Sequence, residues 1–243
     1  MAQQKNAKLI ESERFGKDTR LLSFSMETEL GFRGGQYIIV DTGILLPGNK
    51  VAKRAYSILS SDDIQNGFQV AVKRIGNGPG SNFMHHLELG DELKFSGPWG
   101  KLVADGNSGE TFVFATDTGI TAALGLLNGN AIAPLRGDSK LIWFAESANY
   151  FLPFDFLMAR LDQIGMRNLA MHEAPAIKAS ARAAKAIEIV DILLARALPK
   201  AAFLAGDGAV IYPVRDHLLR AGLAGDDIRL ECFFNNPERK VPA

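Results

Sequence analysis

Residues 111–128 read TFVFATDTGITAALGLLN, and this stretch sets the class of fold. Its first six residues have the composition of a buried strand, and Ile120–Asn128 is typical of a helix. Strand, tight turn and helix in this order is the geometry of a nucleotide site at the carboxyl end of a parallel sheet. The stretch lacks the three-glycine dinucleotide fingerprint, and Asp117 is an unusual neighbour for a pyrophosphate.

The same alternation continues to the C-terminus. Further buried strands are predicted after the first one, at Lys140–Phe144, Arg167–Met171 and Ala201–Ala205. Helices are predicted between and after them, at Asp155–Gln163, Ala183–Ala197 and Pro213–Ala221. Alternating strands and helices indicate a parallel sheet with helices on both faces.

The preceding hundred residues have a different pattern, of short strands separated by turn residues. The predicted strands are Leu21–Met26, Gln36–Val40, Arg54–Ser60, Phe68–Arg74 and Glu92–Phe95. Such spacing favours an antiparallel barrel or sandwich. A polar link at residues 104–110 separates the two patterns, so we predict a first domain over residues 1–103 and a second over residues 104–243.

Composition excludes several classes of protein. The 243 residues include 27 basic and 27 acidic side chains, which is unlike the basic excess of a nucleic-acid-binding protein. A single cysteine, Cys232, excludes disulfides and four-cysteine clusters within the chain, and we interpret it as a packing residue. No apolar run is long enough to span a bilayer and no signal peptide is visible, so we expect a cytoplasmic protein.

Two local patterns in the first domain point to an anionic ligand with a flat ring. Period-2 alternation places Arg54 and Tyr56 on one face of a strand, where a guanidinium can bind phosphate and an aromatic ring can stack. After the glycine-rich residues 76–80, Ser81 is predicted to cap a helix whose N-terminus would receive a phosphate. The alternatives are a surface arginine beside a cross-strand tyrosine, and a loop that only leads into a capped helix.

Taken together, these segments resemble the ferredoxin–NADP reductase superfamily. The resemblance covers residues 8 to 234. It rests on Phe32-Arg33-Gly34-Gly35-Gln36-Tyr37, Arg54-Ala55-Tyr56-Ser57, Val72-Lys73-Arg74, Gly80-Ser81-Asn82-Phe83, Gly97-Pro98-Trp99-Gly100, Thr118-Gly119-Ile120-Thr121, Ala205-Gly206-Asp207-Gly208 and Glu231-Cys232-Phe233.

The resemblance implies a six-stranded antiparallel Greek-key β-barrel that binds FAD, followed by an α/β parallel-sheet domain that binds NAD(P)H. Ser57 and Glu231 would be the catalytic residues beside the flavin and the nicotinamide. The cofactor-binding residues that the resemblance implies are Arg54, Ala55, Tyr56, Ser57, Ala71, Val72, Lys73, Gly80, Ser81, Asn82, Thr118, Gly119, Thr121, Gly206 and Asp207.

Within that set the resemblance implies particular roles. Arg54 would hold the FAD pyrophosphate, and Tyr56 would pack on the flavin. Gly206 and Asp207 would flank the nicotinamide. Hydride would pass from nicotinamide to flavin, because the two rings stack in the cleft between the domains. The flavin would then pass electrons singly to a separate carrier, either a ferredoxin, a flavodoxin or an oxygenase component, and the protein would be a monomer or a weak dimer.

Departures from the family pattern keep two other functions open. Asp117 and Ala205 stand where the family has a small residue and often a cysteine, so the chain could instead be a FAD-binding electron-transfer or regulatory subunit without nicotinamide turnover. The other alternative is an NAD(P)H:flavin reductase that releases reduced flavin.

The second domain also bears on nucleotide choice and on metal binding. Acidic residues after two of its strands favour NADH, although Lys178, Arg182 or Lys185 could contact a phosphate. We interpret the basic start of that helix, Ala179–Lys185, as a solvated face. No metal site is expected, because adjacent histidines at 85 and 86 diverge on a helix.

Overall fold

The computed structural model describes residues 4–105 and 109–238. Its first half is a six-stranded antiparallel sheet with the order β4-β3-β6-β1-β2-β5. The strands are β1 (Gln4–Phe15), β2 (Thr19–Ser25), β3 (Tyr37–Leu46), β4 (Lys50–Ser57), β5 (Gly67–Lys73) and β6 (Glu92–Trp99). One short helix, α1 (Pro79–His86), lies between β5 and β6.

The two edge strands of this sheet, β4 and β5, contact each other, so the sheet curls into the predicted barrel. Alternate side chains point inward, and three phenylalanines form a ring cluster in the core: Phe24 lies 5.3 Å from Phe68, which lies 5.3 Å from Phe95. Helix α1 contacts β3, β4 and β5 and therefore covers one end of the seam.

The second half is a five-stranded parallel sheet with the order β11-β10-β7-β8-β9, as the strand–helix alternation predicts. Its strands are β7 (Thr111–Thr116), β8 (Ser139–Ala145), β9 (Leu169–Glu173), β10 (Ala201–Asp207) and β11 (Ile228–Phe234). Its helices are α2 (Ile120–Asn128), α3 (Phe154–Gln163), α4 (Arg182–Leu194) and α5 (Gly208–Arg220). Short 3-10 turns occupy Asp117–Gly119, Asn130–Asp138 and Gly225–Asp227.

Helices cover both faces of this sheet. Helices α2 and α3 pack on the face that carries Trp143 and Phe203, and α4 and α5 pack on the opposite face. Every residue of α2 from Ile120 to Leu127 is buried, because the sheet lies on one side of this helix and the barrel on the other.

One of the buried clusters contains residues of both the barrel and the α/β half. Barrel residues Leu59 and Ala71 belong to the same buried cluster as α2. Backbones meet closely at this interface, since a Cβ built on Gly125 would lie 2.0 Å from the carbonyl oxygen of Ile58. A Cβ on Gly34 would lie 2.6 Å from the carbonyl oxygen of Gly125. The predicted boundary near residue 104 stays a prediction, and residues 106–108 of the predicted link, like residues 239–243, lie outside the described residues.

Several sequence predictions are wrong in detail. Ser81 does not cap α1: the helix begins at Pro79, whose fixed φ suits the first helical position, and Gly78 is the N-cap. Helix α5 begins at Gly208 and not at Pro213, because the Asp207 side chain accepts a hydrogen bond from the Ala209 amide. The predictions also omitted β1 and β11.

Candidate functional site

A cleft of about 440 Å³ opens at the seam between β4 and β5 and is lined by both halves of the chain. It brings together most of the residues that the sequence predicted to bind cofactor: Arg54, Ala55, Tyr56, Ser57, Ala71, Val72, Lys73, Gly80, Ser81, Thr118 and Thr121. Its other lining residues are Ile75, Gly78, Phe151, Phe233 and Phe234.

Arg54 and Tyr56 lie on one face of β4, as their alternation predicts, and both approach Gly80 in the first turn of α1. A Cβ built on Gly80 would lie 2.3 Å from Arg54 Cγ and 3.4 Å from the Tyr56 hydroxyl. The Arg54 side chain is exposed, and its Nη1 donates to the carbonyl oxygen of Lys53 at 2.7 Å. Burial raises the pKa of Tyr56, which keeps its hydroxyl protonated.

The loop before α1 is built by Ser81 and Asn82. Ser81 Oγ accepts a hydrogen bond from the Ile75 amide at 3.1 Å and donates to the Gly78 carbonyl at 3.2 Å. Asn82 donates to the Gly76 carbonyl at 3.1 Å and does not line the cleft. Ser81 therefore reaches the cleft while supporting the loop, whereas Asn82 contributes by shaping that loop.

On the opposite wall, β5 connects the cleft to the second half of the chain. The Lys73 ammonium donates a short hydrogen bond to the Tyr150 carbonyl and lies 4.1 Å from the centre of the Tyr150 ring. The Val72 carbonyl is 3.1 Å from His85 Nε2, which ties β5 to α1. Burial lowers the pKa of Lys73.

Thr118 and Thr121 form the wall that the α/β half contributes, and Phe151 lies beside them. Thr121 Oγ1 donates to the Thr118 carbonyl at 2.9 Å, so the two threonines form one local unit. Gly119 does not line the cleft: a Cβ there would lie 2.4 Å from the Ala205 carbonyl, so this glycine permits the turn to pack on β10.

Gly206 and Asp207 do not line the cleft either. Gly206 has φ +124°, and a Cβ on it would lie 2.3 Å from Thr116 Oγ1. The Asp207 side chain is fully buried, and its Oδ1 accepts from the Ala209 amide at 3.0 Å and from Asn235 at 2.9 Å. These contacts make Asp207 a helix cap, and the sequence pattern could not separate that role from a place beside a nicotinamide.

Asp117 does not face the cleft as a free carboxylate. It is buried and paired with Arg182, whose Nη2 lies 2.7 and 2.6 Å from the two carboxylate oxygens. The interpretation of Ala179–Lys185 as a solvated face is therefore wrong for Arg182, which is 2% exposed. A charge run is solvated by default, but here a partner distant in sequence supplies the counter-charge.

Glu231 lies at the interface between β11 and the barrel. A Cβ built on Gly100 would lie 3.3 Å from Glu231 Oε2 and 3.0 Å from the Tyr37 ring. Burial raises the pKa of the Glu231 carboxyl to about 7. Burial also raises the pKa of Cys232 to about 11, which agrees with a packing thiol and not with a nucleophile.

The sequence prediction missed three aromatic lining residues and one buried arginine. Phe233 and Phe234 reach the cleft from β11, and Phe151 reaches it from the loop after β8. Arg20 donates from Nη1 to the carbonyl oxygens of Met84, His85 and Leu87, at 3.1, 2.9 and 2.9 Å. The two phenylalanines beside Cys232 are visible in the sequence and could have indicated an aromatic wall of the cleft. An arginine within a strand gives no such indication, because the sequence does not show which carbonyl groups it contacts.

The residues present fit a flavin dinucleotide. Clefts of roughly 300–1,000 Å³ hold small-molecule ligands. Among the described strands, β4 and β5 each have a sheet neighbour on one side only, so backbone groups at the seam face the cleft. Arg54 supplies a cation, and the absence of a side chain at Gly80 lets α1 pack against the aliphatic part of the Arg54 side chain.

Comparisons with known proteins agree with this geometry. Residues 6–103 match the model of the oxidoreductase FAD-binding domain. The chain is 36% identical to ferredoxin–NADP reductase B of Sorangium cellulosum over 120 residues, which are 49% of this chain and 47% of that protein. It is 31% identical to NADH-cytochrome b5 reductase 1 of Mycosarcoma maydis over 124 residues, 49% of this chain and 37% of that protein.

Similarity to solved structures extends over nearly the whole chain. Cytochrome P450 reductase GcoB of Amycolatopsis superposes with a TM-score of 0.73 at 19% identity, covering 96% of this chain and 71% of that one. Phthalate dioxygenase reductase superposes with a TM-score of 0.72 at 19% identity, covering 94% and 68%. The matches to the two curated relatives above span less than half of their length.

A six-stranded antiparallel barrel is joined to a five-stranded parallel-sheet domain, and one cleft is lined by both. The first part of the chain is similar to the FAD-binding domain of oxidoreductases, and the whole chain shares its fold with structures such as phthalate dioxygenase reductase. Over residues 4–105 and 109–238, no helix is long and apolar enough to cross a membrane. No group of three metal-ligating side chains occurs in the same ranges.

Proposed function

We propose that the chain is a FAD-dependent reductase that moves electrons between NAD(P)H and a separate one-electron carrier. The observation that carries this proposal is the shared cleft. Arg54 and Tyr56 line it from the barrel. Thr118 lines it from the turn after β7, and Thr121 lines it from the first turn of α2. A site of this kind can place two flat rings against each other, which is the positioning that hydride transfer needs.

Each residue of the cleft then has a defined task. Arg54 binds the FAD pyrophosphate with its exposed guanidinium, since arginine pairs well with phosphate oxygens. Tyr56 would pack against the flavin, and Ser57, at the buried end of β4, would be next to it. FAD held there would supply the hydride-accepting and one-electron chemistry of the reaction. Glu231 does not line the cleft, but burial raises its pKa to about 7, so its carboxyl can take up or release a proton near neutral pH.

The separate carrier is inferred from the relatives. They include the ferredoxin reductase component of 3-ketosteroid-9-alpha-monooxygenase and the reductase component of phenol 2-monooxygenase. We therefore expect the electrons to pass to a ferredoxin, a flavodoxin or an oxygenase component.

Anaerobic titration of the purified holoprotein with NADH and with NADPH tests this function. We expect the visible absorbance of the flavin to bleach with a pyridine nucleotide and to return when oxidised ferredoxin is added. A colourless protein that does not bind added FAD would refute the proposal. Loss of all flavin on a desalting column, with NADH-dependent reduction of added free flavin, would favour the flavin reductase alternative.

For the nucleotide, we propose a preference for NADH. Of the three cations that could contact a 2′-phosphate, Arg182 is buried against Asp117, and Lys185 pairs with Glu188 at 2.8 Å. Lys178 alone of these three is exposed with no ion pair to a described residue. We expect kcat/KM for NADH to exceed that for NADPH by about tenfold or more, measured with ferricyanide as acceptor. Equal values would contradict this preference.

A second candidate is a FAD-binding electron-transfer subunit without nicotinamide turnover. Two observations favour it: Ala205 replaces the cysteine of many family members, and Asp207 caps a helix instead of lining the cleft. This candidate predicts that FAD stays bound while neither nucleotide bleaches it, even over hours. The anaerobic titration therefore separates the two functions.

A further inference from the structure

Asp117 has a backbone conformation that needs support from its surroundings. Its φ is +51°, in the left-handed region, which glycine occupies freely and which other residues occupy rarely, asparagine and aspartate most often among them. It is the first residue of the turn that leads from β7 to Thr118 and Thr121 in the wall of the cleft. A strained residue persists where neighbouring contacts hold it, and such residues concentrate at functional sites.

The supporting contacts come from residues far away in the sequence. Arg182, the first residue of α4, holds both carboxylate oxygens of Asp117, and the two side chains are 3% and 1% exposed. Trp143 Nε1 donates to the Asp117 carbonyl at 3.0 Å. The Arg182 guanidinium lies 5.7 Å from the centre of the Phe144 ring. The pair therefore spans β8 and joins the loop after β7 to the helix after β9.

Stability does not explain the pair. Removing two charges from water is costly, and the attraction repays that cost only when the remaining polar atoms are satisfied. Among the described residues, Arg182 Nε and Nη1 have no hydrogen-bond partner although both are buried. Apolar residues of similar volume often stabilise a fold as well as a buried ion pair does, so the geometry that this pair imposes is the better explanation of its presence.

We propose that Asp117 and Arg182 form a positioning pair for the nucleotide half of the cleft. Arg182 holds the turn in its left-handed conformation, which places Thr118 and Thr121 at the cleft, and it draws the start of α4 against that turn. This inference rests on the proposed function, because the ligand it positions is the pyridine dinucleotide. Breaking the pair weakens dinucleotide binding and leaves the FAD contacts of the barrel in place.

Three variants test the pair: Asp117→Asn, Arg182→Gln and the double variant. Asparagine tolerates a positive φ, so Asp117→Asn changes the charge with little change in backbone preference. The double variant buries no unpaired charge, and it can therefore be measured even if a single variant unfolds. The matched control is Arg167→Gln, which removes an exposed ion pair with Asp162 in the same half of the chain. The readouts are the Kd of the oxidised holoprotein for NAD⁺, the Kd of the apoprotein for FAD, and amide hydrogen exchange over residues 118–121.

We expect each single variant to raise the Kd for NAD⁺ by about tenfold, because misplaced binding groups lose much of their effect. The Kd for FAD should stay within about twofold, and exchange over residues 118–121 should accelerate. The double variant should match the single ones, since residues that act as one unit are not additive. The control should match the wild type in all three measurements.

Two results would overturn the positioning role: a folded double variant with wild-type NAD⁺ affinity and exchange, or a parallel loss of FAD and NAD⁺ affinity. A wild-type holoprotein that binds neither NAD⁺ nor NADP⁺ would refute the proposed function instead. In that case the exchange measurement still decides whether the pair holds the turn.

Discussion

At the scale of single residues, Gly80 controls how closely α1 approaches β4. A methyl group there would lie 2.3 Å from Arg54 Cγ. Gly80→Ala must therefore displace the Arg54 side chain from Cγ to the guanidinium. We expect the Kd of the apoprotein for FAD, measured by flavin fluorescence, to rise at least about tenfold because a charge-assisted contact is lost. Gly137→Ala is the control, since no atom lies within 4 Å of the added carbon. Equal FAD affinity in both variants would contradict this account.

Glu231 makes stability depend on pH. Burial raises its pKa from 4.5 to about 7, so the folded protein binds a proton that the unfolded chain releases. The stability contributed by that proton is complete below pH 4.5 and is lost as the pH rises through about 7. Glu231→Gln mimics the protonated side chain. We therefore expect the Tm of the variant, relative to that of the wild type, to increase as the pH rises from 5 to 8. A difference in Tm that stays constant over this range would show that Glu231 titrates normally.

At the scale of elements, Arg20 anchors α1. Its guanidinium donates hydrogen bonds to three backbone carbonyl groups at the end of this helix. It also donates to Ser12 Oγ at 3.0 and 2.7 Å. We expect Arg20→Gln to lower the free energy of unfolding by about 2 kcal/mol, because buried carbonyl groups lose their donor. FAD affinity should fall as well, since α1 carries Gly80 and Ser81.

The control for Arg20 is Arg14→Gln, an exposed position directly opposite Arg20 in the β1–β2 register. Urea unfolding of both variants gives the comparison. If Arg20→Gln proved as stable as Arg14→Gln, the anchoring role would be wrong. If stability fell while FAD affinity stayed the same, α1 would not depend on its C-terminal anchor for the position of its first turn.

At the scale of the whole molecule, the two halves behave as one packed unit. Gly125 lies where α2 meets the barrel, and a Cβ there would lie 2.0 Å from the Ile58 carbonyl oxygen. Because backbone cannot move aside as a side chain can, we expect Gly125→Ala to lower the free energy of unfolding by about 2 kcal/mol or more. Calorimetry should show the transition broaden or split as the halves uncouple.

Gly225→Ala is the control for this prediction, since the nearest atom to the added carbon is 3.8 Å away, at the end of the Leu219 side chain. We expect that variant to stay within about 0.5 kcal/mol of the wild type. A single sharp transition at the wild-type temperature for Gly125→Ala would show that α2 does not couple the halves.

Most elements follow from the sequence because local periodicity reports burial. The strand Thr111–Thr116 and the helix Ile120–Asn128 have the predicted bounds, since the strand is fully buried around an apolar centre and the helix lies between two glycines. Strand β1 escaped prediction because only Ala7 and Leu9 along its length are buried, so no apolar alternation marks it. Its register comes from pairing with β2 and β6, which no local pattern contains.

The sequence by itself determined the two-domain class and most of the residues that line the cleft. Residues such as Arg54, Tyr56 and Ser81 belong to short motifs, which can be recognised without knowledge of the fold. Tertiary structure alone decided what the buried charges do. Asp117 meets Arg182 across 65 residues, and Asp207 meets the Ala209 amide at a helix start. A buried charge depends on the partner that the fold brings to it, and that partner lies outside any local window of sequence.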